Sequence, residues 1–216
     1  LAKAGQFNKA VTVARFIFDN DDKAEALSNI ASELAKAGQF DKALNVAGSI
    51  SDDYDSDDSA KAEALSNIAS ELAEAGQFDK AFDVAGSISF DFLKALPLRD
   101  IAVELAKAGQ FNKALTVYGS ISDDFYKAWT LSDIALELAK AGQFDKAVSV
   151  AGFIYDNYDK ADTLINIASE LAKAGQTQQA LQIFDKAFSV AGSISDDSKK
   201  AWALIDIVVE LAKAGQ

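Results

Sequence analysis

Residues 34–39 read LAKAGQ, and the same six letters recur along the chain at a nearly fixed interval. Copies begin at Leu1, Leu34, Leu105, Leu138, Leu171 and Leu211, and a variant copy, LAEAGQ, begins at Leu72. Successive starting positions differ by 33, 38, 33, 33, 33 and 40 residues. A period in the low thirties is typical of stacked helical pairs. The repeat therefore predicts an all-α solenoid.

One full repeat, KAEALSNIASELAKAGQFDKALNVAGSISDD, covers residues 23–53. Its apolar residues recur at steps of three and four up to Leu34, which predicts a helix with one buried stripe. Gly38 is expected to end that helix, with Lys36 in the last turn near the negative end of the helix dipole. The helical period resumes at Phe40, so a second helix is predicted to pack antiparallel to the first.

Ser and Asp residues separate one helix pair from the next, and their side chains are suited to capping the following helix. These capping candidates are Ser51-Asp52-Asp53, Asp123-Asp124 and Asp196-Asp197. About twelve helices are expected, six of each kind. We divide 1–216, a single array, into a partial repeat 1–22, full repeats 23–60, 61–93, 94–126, 127–159 and 160–199, and a terminal half-repeat 200–216.

Two repeats depart from the period. The first carries five extra residues, Tyr54-Asp55-Ser56-Asp57-Asp58. The fifth gains seven residues in TQQALQIFDKAFSVAGSI, and we predict one helix from Gln178 to Ile194 that is two turns longer than its counterparts. A recurrent Gly late in the second helices indicates either close helix contact or early helix termination. It occurs at Gly48, Gly86, Gly119, Gly152 and Gly192.

The composition argues against several classes of function. The net charge is -12, which disfavours binding to nucleic acid, and basic or apolar partners fit better. The chain has no His and no Cys, so the usual zinc, Ser-His and thiolate chemistries are absent. We therefore expect neither enzymatic activity nor a cofactor. No apolar run approaches the ~20 residues that span a bilayer, so no membrane insertion is expected; a cytoplasmic location is favoured, with the compartment open.

Calcium is the one metal for which the sequence offers a candidate loop. Hard oxygen ligands suit Ca²⁺, but the central Gly and closing Glu of an EF-hand are both missing. A solvated acidic loop explains the same residues. These are Asp52, Asp53, Asp55, Asp57 and Asp58, with weaker candidates at 19–22 and 156–159.

The repeat resembles the tetratricopeptide (TPR) family over essentially the whole chain. The matching residues of the first full repeat are Leu27, Ile30-Ala31, Leu34, Gly38, Phe40 and Ala43. The family's closing Pro is missing from every repeat, and the main period is 33 residues rather than 34. The resemblance implies a right-handed α-solenoid that serves as a protein-interaction scaffold, with its concave face lined by the first helices.

The stripe of each first helix that lies opposite the core varies between repeats. It is polar in the first two repeats and becomes more apolar later. The polar members are Glu25, Ser28, Ser32, Glu63, Ser66 and Ser70. The candidate concave-face binding residues are Leu96, Arg99, Val103, Trp129, Leu136, Ile165, Trp202 and Ile205. One interpretation is a groove for an apolar or basic segment; the other is packing between repeats.

A polar ladder accompanies this stripe and hardly varies. It consists of Asn29, Asn67, Asp100, Asp133, Asn166 and Asp206. A Glu follows four residues after each member, and each of these Glu except Glu71 has a Lys three residues later. An electrostatic track for basic peptides and a solvated face with local ion pairs both fit this pattern, and the solvated face is the simpler explanation.

Two classes of function remain open. The first is a scaffold that binds a protein or peptide through its concave face. The second is a structural or self-assembling array, because neither end carries a distinct polar cap and such ends can stack head to tail. The absence of Met favours a fragment of a longer array, which would leave the same ends. An engineered consensus array is a further interpretation, against which the two insertions argue.

Overall fold

The computed structural model describes residue 2, residues 5–50 and residues 58–213. Within these residues the chain forms twelve α-helices and no strand. The predicted all-α fold class and the predicted helix count are both confirmed. The helices are α1 (Phe7–Ala14), α2 (Asn20–Lys36), α3 (Phe40–Ala47), α4 (Asp58–Glu74), α5 (Phe78–Gly86), α6 (Asp91–Lys107), α7 (Phe111–Tyr118), α8 (Asp124–Lys140), α9 (Phe144–Gly152), α10 (Asn157–Lys173), α11 (Thr177–Gly192) and α12 (Asp197–Lys213).

The chain divides into two compact units. The N-terminal unit comprises Leu1–Leu105 and Gly119–Asp123, and the C-terminal unit comprises Ala106–Tyr118 and Asp124–Gln216. In the N-terminal unit, α2 packs against its partner α3 and against the next first helix, α4. In the C-terminal unit, α10 packs in the same way against α11, α8 and α12. Each of these first helices therefore contacts both its own second helix and a first helix of an adjacent repeat.

Helix length distinguishes the two kinds of helix. The even-numbered helices are first helices and all have 17 residues. Most odd-numbered helices have 8 or 9 residues, whereas α11 has 16. The seven-residue insertion therefore lengthens α11 by two turns, as predicted, although the helix ends at Gly192 rather than at Ile194.

The LAKAGQ segment forms the turn between the two helices of a pair. Gly38 adopts a φ of 71°, and its N–H donates to the Ala35 carbonyl at 2.8 Å. The Gln39 N–H donates to the Leu34 carbonyl at 2.9 Å. These two bonds make a Schellman motif, which satisfies carbonyls left without partners at the helix end. The same bond from Gln to Leu recurs after α4, α8 and α10.

The same segment also supplies core residues and begins the second helix. Leu34 and Ala35 are each 1 % exposed, so the end of the first helix lies in the core. Gln39 precedes α3, and its carbonyl accepts the Ala43 N–H at 2.9 Å. Its side-chain Oε1 accepts from Lys42 Nζ at 2.8 Å. The sequence GQFDK thus closes one helix and opens the next without an intervening loop.

Asp side chains cap several first helices. Asp19 Oδ1 accepts the N–H groups of Asp21 and Asp22, both at 3.0 Å. Asp196 Oδ1 accepts the Lys199 N–H at 2.8 Å, which confirms the cap predicted there. Residues 51–53, also predicted to form a cap, and most of the acidic insertion lie outside the described residues, so the structure does not test the calcium hypothesis there.

The late glycines of the second helices mark helix ends. Gly86, Gly152 and Gly192 are the last residues of their helices. A Cβ built at any of the three would meet nothing within 4 Å. Early termination, rather than close helix contact, is therefore the interpretation that the structure supports.

Two glycines of adjacent elements give a matched stability test. Gly142 in the turn has a φ of 72°, whereas Gly152 at the end of α9 has no positive φ, and a Cβ added at either residue would lie in open space. Gly142→Ala should lower the free energy of unfolding by about 1 kcal/mol, because an L-residue is disfavoured at positive φ. Gly152→Ala should raise it by about 0.4–1 kcal/mol, because Ala restricts the unfolded chain. Urea unfolding measures both, and effects of the same sign would contradict the role of the turn.

Candidate functional site

In the N-terminal unit, side chains of the polar stripe form hydrogen bonds with side chains of the ladder on an adjacent first helix. Asn67 Nδ2 on α4 donates to Ser32 Oγ on α2 at 2.9 Å. Ser70 Oγ on α4 donates to Asp100 Oδ2 on α6 at 2.6 Å. Ser28 is also buried. These members of the stripe and ladder therefore serve packing between repeats.

The C-terminal unit uses different partners at the related positions. The hydroxyl groups of Thr163 on α10 and Ser132 on α8 are hydrogen-bonded to each other at 2.8 Å, and Ser169 Oγ donates to Glu210 Oε2 on α12 at 2.8 Å. Asn166 donates instead to Asp162 on its own helix at 3.2 Å. Asn29 and Asp206 are exposed. The ladder is thus a set of individually paired or exposed groups, and the use of the whole ladder as a basic-peptide track stays a prediction.

The Glu that follows each ladder residue forms the expected local ion pairs. Four of the predicted pairs have Oε1 to Nζ distances of 2.6–3.4 Å. Their Lys side chains are at least half exposed, so each pair contributes at most a few tenths of a kcal/mol. The pairs are Glu33–Lys36, Glu137–Lys140, Glu170–Lys173 and Glu210–Lys213.

The apolar candidates do not form one continuous exposed stripe. Ile165 is only 2 % exposed, so the expectation that it contributes to a binding surface does not hold. It lies on α10, between the helices that carry Trp129 and Trp202, and is covered by helix packing. Leu136 is half-buried. Leu96, Arg99 and Val103 belong to the N-terminal unit, where Leu96 is exposed and the other two are half-buried.

An aromatic cluster occupies the first turns of α8. The ring centroids of Phe125 and Trp129 lie 4.0 Å apart. Tyr126 meets the same two rings edge-on, at 5.8 and 6.3 Å. Phe125 remains 56 % exposed and Trp129 42 % exposed. The Phe125 and Trp129 rings, tilted by 48°, therefore contact each other and are still open to solvent.

Phe125 and Trp129 line a cavity of about 670 Å³ within the C-terminal unit. Two very exposed rings, Phe153 and Tyr155, come from the segment that joins α9 to α10. Tyr118, at the end of α7, adds a fifth aromatic residue. The charged residues of the lining are Asp124, Lys127, Asp156, Asp159 and Lys199. We call this the aromatic cavity.

Carboxylates cluster beside the aromatic cavity. Burial and the neighbouring Asp156 raise the pKa of Asp159, while Lys199 opposes the shift. One turn along α10, burial together with Asp206 and Asp159 raises the pKa of Asp162. Negative charge is therefore costly at this edge of the unit, and a nearby cation relieves part of that cost.

A second exposed apolar surface lies on α12. It consists of Trp202, Ile205, Val208 and Val209, which are 42–66 % exposed. Val208 occupies a position where the five preceding first helices carry an Ala that is 0 % exposed. We call these four residues the α12 face.

Sequence reasoning identified Trp129 but missed the other walls of the aromatic cavity. The signal was present in the GSIS segment, which most repeats place after the second helix. In repeat 127–159 it becomes GFIY, which puts Phe153 and Tyr155 where Ser is usual. The buried Ile between them, Ile154, is retained, so only the two exposed positions change.

The described part of the chain contains no cluster of three or more Asp and Glu residues arranged to hold a metal ion. The acidic residues 19–22 and 156–159 instead include the helix caps Asp19 and Asp156. None of the described helices combines the length and apolarity that crossing a membrane requires.

No family model and no curated protein matches the chain. Similar solved structures include YrrB, a TPR protein with an unusual peptide-binding site, at 18% identity and a TM-score of 0.40 over 92% of this chain and 97% of that one. Another is Ton1535 from Thermococcus onnurineus NA1, at 19% identity and a TM-score of 0.31 over 93% and 72%. The TPR-like character of the chain rests on the five helix pairs of its described residues, α2–α3 to α10–α11, and on the Gly turn within each pair.

Asp100 allows a test of the bonds between repeats. Burial raises its pKa, while the Ser70 hydrogen bond and Arg99 lower it and Glu74 and Glu104 raise it further. A raised pKa means that the charged carboxylate destabilises the fold at neutral pH, and that this cost disappears as the pH falls through the folded-state pKa. Asp100→Asn should therefore raise the free energy of unfolding at pH 7, and the difference from wild type should shrink towards pH 3.

Asn67→Asp is the reverse change at the equivalent position, where the Asn67 Nδ2 donates to Ser32 Oγ. It should lower stability at pH 7 by an amount that decreases in acid. Urea unfolding at both pH values measures each effect. A loss of stability in Asp100→Asn at pH 7 would show that the carboxylate itself is needed.

Proposed function

We propose that the chain is a scaffold that binds a protein or peptide segment at the aromatic cavity of its C-terminal unit. The observation that carries this proposal is the close and exposed pair Phe125 and Trp129, whose ring centroids lie 4.0 Å apart. Exposed aromatic side chains in a concave site are the residues that most often dominate binding energy. The cavity volume of about 670 Å³ is that of a site that encloses one or a few side chains.

The contrast between the first two full repeats and repeat 127–159 supports this location. In the N-terminal unit, Ser28, Ser32 and Ser70 of the variable stripe are half-buried or buried, and two of them bond to the next helix. In the C-terminal unit, Trp129 occupies the position of Glu25 and is joined by Phe125 one turn earlier. The Phe125 and Trp129 side chains remain 56 % and 42 % exposed, so they offer apolar surface that a bound segment can cover.

A peptide-display selection against the whole chain tests the proposal. Selected peptides should bind Trp129→Ala about 30-fold more weakly than wild type, as expected for the loss of ~2 kcal/mol at an aromatic hot spot. Phe188→Ala is the control, because Phe188 is 60 % exposed on α11 and does not line the cavity. Circular dichroism would verify that both variants remain folded. Failure to select any peptide that depends on Trp129 would refute the proposal.

Self-association is a second candidate function, supported by the α12 face. The side chains of Trp202, Ile205, Val208 and Val209 are 42–66 % exposed on this helix. A surface of four apolar side chains on one helix favours contact with another apolar surface. A second copy of the chain that stacks on this helix would extend the array.

Sedimentation velocity over a range of protein concentrations tests this second candidate. The sedimentation coefficient should rise with concentration in the wild type and should not in Ile205→Lys/Val208→Lys. Phe188→Lys controls for adding a charge at an exposed apolar residue elsewhere in the unit. A wild-type chain that stays monomeric at the highest concentration would exclude self-association as a function.

A further inference from the structure

We infer that the aromatic cavity holds a cationic side chain of the bound segment, and that this side chain is an arginine. The inference rests on the proposed function and specifies the partner's chemistry. It follows from the combination of ring faces and carboxylates around one cavity, together with a cation that the protein itself already places there.

The rings provide surfaces on which a flat cation can stack. Phe125 and Trp129 form one wall, and Phe153 and Tyr155 are 76 % and 97 % exposed at the segment before α10. A guanidinium group stacks on such faces and is more weakly hydrated than an ammonium group. An apolar side chain would also contact the rings, but would add no positive charge beside three lining carboxylates that only two lining Lys residues oppose.

The carboxylates supply the complementary charge. Asp124, Asp156 and Asp159 line the cavity, and Asp162 follows one turn along α10. Asp156 Oδ1 already accepts the N–H groups of Tyr158 and Asp159, at 2.9 and 3.1 Å, so it neutralises the positive end of α10. The carboxylate of Asp159 is then the best-placed partner for a ligand cation. Its raised pKa, caused by burial and by Asp156, is consistent with a site where a cation is favourable.

Lys199 provides an example of the same chemistry within the chain. Its Nζ lies 5.7 Å from the centre of the Tyr158 ring, and the residue lines the cavity. Its charge also opposes the rise in the pKa of Asp159. Lys127, the other cation of the lining, lies 4.0 Å from Asp124. The ammonium group of Lys199 thus lies near an aromatic ring and acts electrostatically on Asp159, so it competes with a ligand cation for that carboxylate.

The experiment uses a defined probe: a blocked synthetic pentapeptide with arginine at its centre, leucine on either side and serine at both ends. A second peptide replaces arginine by citrulline, which has nearly the same shape but no charge. The chain contains two Trp residues, so an NMR spectrum contains two indole N–H signals, and Trp202→Phe assigns that of Trp129. Titration of each peptide into the whole chain gives its Kd from the Trp129 signal.

The arginine peptide should shift the Trp129 signal in a saturable way, with a Kd at least about 10-fold lower than that of the citrulline peptide. Asp159→Asn should weaken the arginine peptide several-fold without changing the citrulline peptide. Asp185→Asn removes the same charge from α11, away from the cavity, and should change neither. Lys199→Gln should strengthen binding of the arginine peptide, because it removes the internal competitor.

Equal affinities for the two peptides would overturn the arginine inference while leaving the cavity as a binding site. No shift of the Trp129 signal with either peptide would overturn it as well. In that case, display-selected peptides whose binding depends on Trp129 would still support peptide binding at the cavity without the preference for arginine. If no peptide shifts the Trp129 signal and no selected peptide depends on Trp129, the aromatic cavity is not a binding site.

Discussion

The left-handed glycine between the two helices of each pair is the constraint on which the structure depends. At Gly38, one residue at a φ of 71° lets the Gln39 N–H reach back to Leu34 and reverses the chain without a loop. Leu34 is 1 % exposed, so the residue that accepts this bond is also a core residue. The same six residues, LAKAGQ, therefore determine both the turn geometry and part of the core packing, which explains why they vary so little between repeats.

A constant turn leaves the surfaces of the first helices free to differ. In the first two full repeats these surfaces carry small hydroxyl groups that bond to a neighbouring first helix, as Ser70 does to Asp100 at 2.6 Å. In repeat 127–159, α8 instead carries Phe125 and Trp129, whose ring centroids lie 4.0 Å apart and which remain accessible. The repeat thus keeps the helix pairs constant, while residues that differ between repeats form the aromatic cavity, which Asp124, Asp156 and Asp159 also line.

Most of the fold could be predicted from the sequence because the same helix and turn pattern recurs in each repeat. The period located the helix pairs, Gly38 and its equivalents located the turns, and the seven added residues correctly implied a longer α11. The candidate site was harder to predict, because exposure depends on which helix covers a residue. Ile165 and Trp129 share a helical stripe, yet Ile165 is buried by its neighbours. Phe153 and Tyr155 were missed because they lie in a connecting segment where no helical period applies.

The two tryptophans lie on the two competing surfaces, Trp129 at the aromatic cavity and Trp202 on the α12 face. The most direct measurement is acrylamide quenching of tryptophan fluorescence in the single-tryptophan variants Trp202→Phe and Trp129→Phe, with and without a saturating bound peptide. If the cavity is the binding site, the peptide protects Trp129 in the first variant and leaves Trp202 in the second unchanged. Protection of Trp202 with unchanged quenching of Trp129 would contradict the account.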